Sequence, residues 1–140
     1  MGRVIAFDVV GKPEPKGSTR AVVTRRKDGH LAASVYADNP RSRPWQDAIG
    51  WSAKAAVKGT RLVGPVFLSL SFYVARPKRG GDHLPTRKPD LDKLIRAVLD
   101  GLTGAAYDDD SQVVAVSARK EYGTPPRVAI LAAEMREESC

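Results

Sequence analysis

The chain is nearly devoid of cysteine, with Cys140 alone among its 140 residues. One thiol can form neither an intrachain disulfide nor a cysteine-based zinc site, which fits a reducing cytoplasm. Histidine is almost as scarce, and His83 stands in a polar stretch without a second histidine nearby. It is assigned no metal role and is at most a phosphate contact. Long apolar runs are missing too. No segment approaches the roughly 20 apolar residues of a membrane span, and Met1 to Gly17 lacks the apolar stretch of a secretory leader. These absences argue against membrane insertion and secretion. There is no internal repeat and no low-complexity segment, and 42% hydrophobic with 28% charged residues is the composition of a globular protein. A length of 140 residues suits one domain over 1–140.

Negative charge is also in short supply, 16 Asp and Glu against 23 Lys and Arg, for a net charge of +7. Such a balance points to a polyanionic partner, nucleic acid first, although basic charge also serves solubility. What acid there is gathers in two tight groups, Asp90 and Asp92 within Lys88-Pro89-Asp90-Leu91-Asp92-Lys93-Leu94, and Asp108-Asp109-Asp110 before Ser111-Gln112-Val113. Clustered carboxylates repel one another and stay ionised only if a cation offsets them. In a basic chain that seeks nucleic acid, Mg²⁺ is the obvious cation.

Hydrophobic patterning places these groups. Val4 to Val10 reads as a strand, closed by the Pro/Gly-rich Gly11 to Gly17. Ala21–Thr24 and Ala33–Tyr36 read as a hairpin around the basic turn Lys27 to His30. Pro44 to Val57 has helical spacing, with Trp45, Ile49, Ala53 and Ala56 on one side and Lys58-Gly59 as the stop. Val66 to Ala75 alternates as a central strand, and Arg76 to Lys88 has no apolar periodicity and reads as a loop, expected to be mobile without ligand. Leu91, Leu94, Ile95, Val98, Leu99 and Leu102 define the clearest amphipathic helix, ended by Gly104. Gln112–Glu121 and Arg127–Ala133 complete the pattern as two strands.

A helix from Asp90 to Leu102 is about 18 Å long at about 1.5 Å per residue, and the stretch Thr103 to Ser111 is long enough to return along it. If Gln112 opens a strand beside the helix, Asp110 can come within a few ångströms of Asp90 and Asp92, and three carboxylates converge. Asp92, Arg96 and Asp100 follow at i+4 along one ridge, so Arg96 can lean over the same place. Each residue also has an ordinary role. Asp90 suits an N-cap and Asp92 the helix dipole, Asp108 to Asp110 suits a solvated turn, Arg96 suits a surface ion pair, and Trp45 suits the core.

The order and spacing of Lys88-Pro89-Asp90-Leu91-Asp92-x-Leu94, Leu99-Asp100-x-Leu102-x-Gly104 and Asp109-Asp110-x-Gln112-Val113 resemble the signature of RusA-type Holliday junction resolvases, a family frequent in prophages. The early Gly11-Lys12-Pro13-Glu14-Pro15-Lys16-Gly17 resembles the family's Pro/Lys loop. The resemblance implies a mixed α+β fold, a homodimer, and an Mg²⁺-dependent endonuclease, with Mn²⁺ as substitute, that makes paired cuts in branched DNA at four-way junctions. It puts the family's catalytic, metal-holding aspartates on Asp90, Asp92 and Asp110. The chain departs from the family in having Lys93 where Asn is usual and Arg96 where the family has a functional lysine. Arg96 keeps the positive charge but cannot act as a base at neutral pH, which leaves it stabilising charge on the phosphate. Lys12, Lys16, Arg20, Arg25, Arg26, Arg41 and Arg43, with Lys78, Arg79, Arg87 and Lys88 of the loop, are the expected phosphate contacts. A nuclease acting on flaps or replication intermediates and a non-catalytic basic DNA-binding module are the other functions that the sequence allows.

Overall fold

Strict alternation in Val66–Val74 puts Val66, Leu68, Leu70 and Phe72 on one face of a strand, and all four are buried. The structure, a computed structural model, describes residues 2–17, 19–37 and 39–137, and gives only the backbone of 19–22 and 33–37. Its elements in chain order are β1 (Val4–Val10), β2 (Thr19–Arg25), β3 (Leu31–Ala37), α1 (Ser42–Val57), β4 (Val66–Val74), α2 (Leu91–Leu102), a short 3₁₀ turn (Asp110–Gln112), β5 (Val113–Tyr122) and β6 (Arg127–Glu134). Strands β1, β6, β4 and β5 form one mixed sheet in that spatial order, while β2 and β3 pair separately as the expected hairpin. This is an α+β domain with a four-stranded mixed sheet and two helices.

Both helices cover the same face of the sheet. Ile5 and Val9 of β1, and Val128, Ile130 and Ala132 of β6, join the β4 row beneath them. From α1 come Trp45, Ile49, Ala53 and Val57, spaced by four, and the helix ends where Lys58 and Gly59 turn left-handed. The apolar stripe of α2 is rotated from its expected centre. Leu94, Val98 and Leu102 are buried with Ala97 and Gly101, whereas Leu91, Ile95 and Leu99 are only half-buried. The cause is the crossing of the two helices. A Cβ on Gly101 would lie 2.9 Å from the Gln46 carbonyl oxygen and 3.0 Å from Ile49, so small residues there let the backbones close on each other.

The connection that positions the site is β4–α2–β5. Strands β4 and β5 are parallel neighbours, so the intervening helix must run back along the sheet, antiparallel to both. The loop leaving β4 is tied down at both ends. The Arg76 guanidinium stacks 4.4 Å from the Tyr122 ring centroid, and the Lys120 ammonium donates to the carbonyls of Arg87 and Pro89 at 3.0 Å. These contacts hold a segment that its polar sequence suggests is free.

Candidate metal and nucleic-acid site

Asp90 takes the N-cap position of α2, but its side chain caps nothing. Instead the carboxylate sits among cations, with the Lys88 and Lys93 ammonium groups each 3.7 Å from Oδ2. Asp92 follows in the first turn, exposed, where the helix dipole favours negative charge. Lys12, Pro13, Lys88, Pro89 and Lys93 surround Asp90 in an open cleft of about 300 Å³. Lys93, the residue that stands where the resemblance calls for asparagine, is thus a direct neighbour of the first aspartate.

Asp110 is placed elsewhere. Because β5 runs antiparallel to α2, its beginning lies by the helix's C-terminal end and its far end, at Lys120, lies by Pro89. Asp109 caps the 3₁₀ turn by accepting the Ser111 N–H at 3.1 Å, which holds its carboxyl below the usual range. The adjacent Asp109 carboxyl above all, with the charge of Asp100, pushes the Asp110 carboxyl up, and Lys16 opposes the shift. The buried Tyr107 phenol donates to the Leu99 carbonyl at 3.3 Å, and burial together with Asp110, Asp100 and Asp109 drives its ionisation far above the ordinary range.

The expected convergence of Asp90, Asp92 and Asp110 therefore does not occur within one chain. Among the described residues no three acidic or imidazole side chains gather closely enough to hold a metal. The eight steps from Asp92 to Asp100 alone span about 12 Å of helix axis, which separates the upper acid pair from the lower group. Oxygen donors are still the right type for a hard cation, and Mg²⁺ is commonly held by one or two carboxylates with water and phosphate completing its shell. Asp90 and Asp92 offer donors of that type at the start of α2.

Arg96 lies exposed between the two groups and makes no ion pair with Asp92 or Asp100 among the described residues. Asp100 is taken instead by Lys16, an ion pair that the reading of the helix ridge missed. Lys12 lines the upper cleft, while Lys78, Arg79, Arg87 and Lys88 are exposed along the β4–α2 loop. The Arg20 side chain lies outside the described residues. Lys12 and the loop cations thus lie toward the N-terminal end of α2, Lys16 reaches Asp100 nearer its other end, and Arg25, Arg26, Arg41 and Arg43 belong to the hairpin and to the start of α1.

The sequence model of the family described as Endodeoxyribonuclease RusA matches residues 12–131, a span containing both acid groups. The chain belongs to this family. It is also similar to the uncharacterized protein YqaN of Bacillus subtilis (strain 168), 29% identical over 144 residues, covering 94% of this chain and 96% of the relative. Membership in the RusA family makes the chain an endodeoxyribonuclease by class. No helix among the described residues is long and apolar enough to cross a membrane.

Proposed function

We propose that the chain is a structure-selective endonuclease of the cytoplasm that resolves Holliday junctions by paired, Mg²⁺-dependent phosphodiester cuts. The observation that carries this reading is the family match over residues 12–131, which includes Asp90, Asp92, Arg96 and Asp110. Asp90 and Asp92 would hold the cation, with Mn²⁺ as a substitute, and a bound divalent ion supplies Lewis-acid polarisation of the scissile phosphate. Lys88 and Lys93 neutralise Asp90 in its absence and are long enough to swing away toward phosphate. Arg96, one turn below Asp92, donates to negative charge growing on the phosphate. Lys12 and the loop cations Lys78, Arg79, Arg87 and Lys88 hold the strands by their backbones.

The separation of the acid groups bears on assembly. A site drawing on Asp90, Asp92 and Asp110 together needs Asp110 from a second chain, and a C₂ homodimer presents two equivalent sites, matching two cuts in a two-fold symmetric junction. The test is incubation of a synthetic four-way junction with the protein, with and without Mg²⁺, followed by mapping of both strands and by sedimentation. Symmetric paired nicks, made only with the divalent ion and by a dimer, are expected. A single cut by a monomer would favour a flap-type nuclease, and binding without cutting a DNA-binding module.

A further inference from the structure

Trp51 is 71% exposed on the side of α1 opposite its core row. It stands within a stripe of its own. Arg43, Asp47, Trp51 and Lys54 follow one another along the outer face of α1, spanning about 16 Å at about 1.5 Å per residue. The Lys54 ammonium lies 4.9 Å from the Trp51 ring centroid, and Arg43 at the other end is exposed and paired with Asp47. Between this stripe and the end of α2 runs an open groove of about 430 Å³. Gly50, Gly101 and Gly104 line it without side chains, and a Cβ added at Gly104 would meet nothing within 4 Å. The close crossing of the helices leaves the groove shallow, so the ring is reachable from solvent along one face.

We propose that this groove binds an unstacked nucleotide of a DNA strand, with the base lying on Trp51 and the flanking phosphates on Arg43 and Lys54. An aromatic plane with a cation at either end is the recurring platform for single-stranded nucleic acid, since every base offers a π-face and every linkage a charge. Within a duplex that face is covered by neighbouring bases, so the groove selects strands that are opened, as at a branch point. A protein partner is the poorer fit. Interface aromatics carry binding energy in desolvated, well-packed pockets, whereas this groove is lined by two cations, two carboxylates and bare glycines. The net charge of +7 adds attraction for a polyanion. Asp100 lies on the groove's far wall and joins it to the acid group around Asp110, so a strand held here passes beside that group.

The inference rests on the proposed action on DNA for its ligand, and its test needs no cleavage. Tryptophan emission is followed while oligothymidylate is added without divalent ion, and affinity is read from the anisotropy of a labelled oligonucleotide. Quenching is expected in the unaltered chain and lost in Trp51→Phe, which leaves only the buried Trp45 to emit. Trp51→Ala is expected to bind about tenfold more weakly, at the lower end of losses found on removing a stacking side chain, while Trp51→Phe keeps most of the affinity. Emission unchanged at saturating oligonucleotide, or unaltered affinity in Trp51→Ala, overturns the proposal. So does a Trp51→Ala chain that loses self-association in sedimentation while holding the oligonucleotide as before, which would make the face a contact between copies. A chain that quenches with oligonucleotide but leaves junctions uncut overturns the resolvase reading alone.

Discussion

The Lys16 ammonium is ion-paired with the Asp100 carboxylate, and the Lys16 backbone N–H donates to the Lys93 carbonyl at 3.0 Å. The loop after β1 therefore lies along the outside of α2, with Lys12 at the cleft beside Asp90 and Lys16 at the acid group beside Asp110. One basic segment serves both ends of the helix. Removing Lys16 takes away a proposed phosphate contact and also unmasks Asp100. In a double-mutant cycle on junction affinity, Lys16→Ala is expected to weaken binding, and adding Asp100→Asn to recover part of the loss. Strict additivity of the two changes would mean that the pair is only structural.

Replacement of Asp90, Asp92 or Asp110, the proposed metal-holding residues, by Asn removes a negative charge at nearly constant shape. Junction cleavage should fall by orders of magnitude in each variant, while junction binding persists or tightens because repulsion of phosphate drops. Cleavage assays and mobility shifts on the same preparations separate the two effects. An Asp90→Asn chain cutting at the unaltered rate would remove that residue from the site.

Arg96 is exposed and outside the core, so its replacement should leave the circular dichroism spectrum unchanged. Single-turnover cleavage at saturating protein is expected to drop about 10²- to 10³-fold in Arg96→Ala, the scale for loss of one transition-state donor. Arg96→Lys should retain substantial activity because the charge stays while the fork geometry is lost. Full activity in the Ala variant would leave Arg96 a surface residue.

The β4–α2 loop is held at its ends but presents Lys78, Arg79 and Arg87 to solvent. Neutralising all three should weaken junction binding and flatten its dependence on salt, each lost phosphate contact lowering the slope by about 0.9 for duplex DNA. An unchanged slope would show that the loop stays clear of the backbone.

Glu134 is the acid that matters for stability. Its carboxylate is buried, with Oε1 accepting the Arg3 N–H at 2.9 Å and Oε2 the Val63 N–H at 2.8 Å. These donors hold its carboxyl below the ordinary glutamate range. Glu134→Gln turns an amide NH₂ toward an N–H donor, and is expected to cost about 1.5–3 kcal/mol in urea unfolding near neutral pH. The folded chain binds the proton less readily than the unfolded one. The carboxylate's contribution is therefore complete above the ordinary glutamate range and is lost as pH falls through the depressed value, where the two chains should converge.

Much of the architecture was legible because it depends on local pattern. The alternation of Val66–Val74, the spacing of Trp45, Ile49 and Ala53, and the stop at Lys58-Gly59 all describe a side chain's relation to its near neighbours. The meeting of Asp110 with Asp90 depended on chain direction, which periodicity does not carry. The length of Thr103 to Ser111 allowed a return, but parallel pairing of β4 with β5 fixes α2 antiparallel to both and sends the start of β5 to the other end. Lys16 was read as a phosphate contact from its loop alone, since its pairing with Asp100 crosses 84 positions. Helical periodicity singles out the residues that face inward, and so leaves Trp51 unmarked.

Strand β6 is inserted between β1 and β4, so β1 joins the sheet only through residues near the other end of the sequence, Val4 facing Ala133 and Val10 facing Arg127. The first strand thus has no place to dock until the last one is in position. A topology dominated by such distant pairings closes long loops before it gains contacts, and favours slow folding relative to helical domains of the same length. Without β6 the β4 edge is unpaired, and an unpaired strand edge is a template for association with another chain.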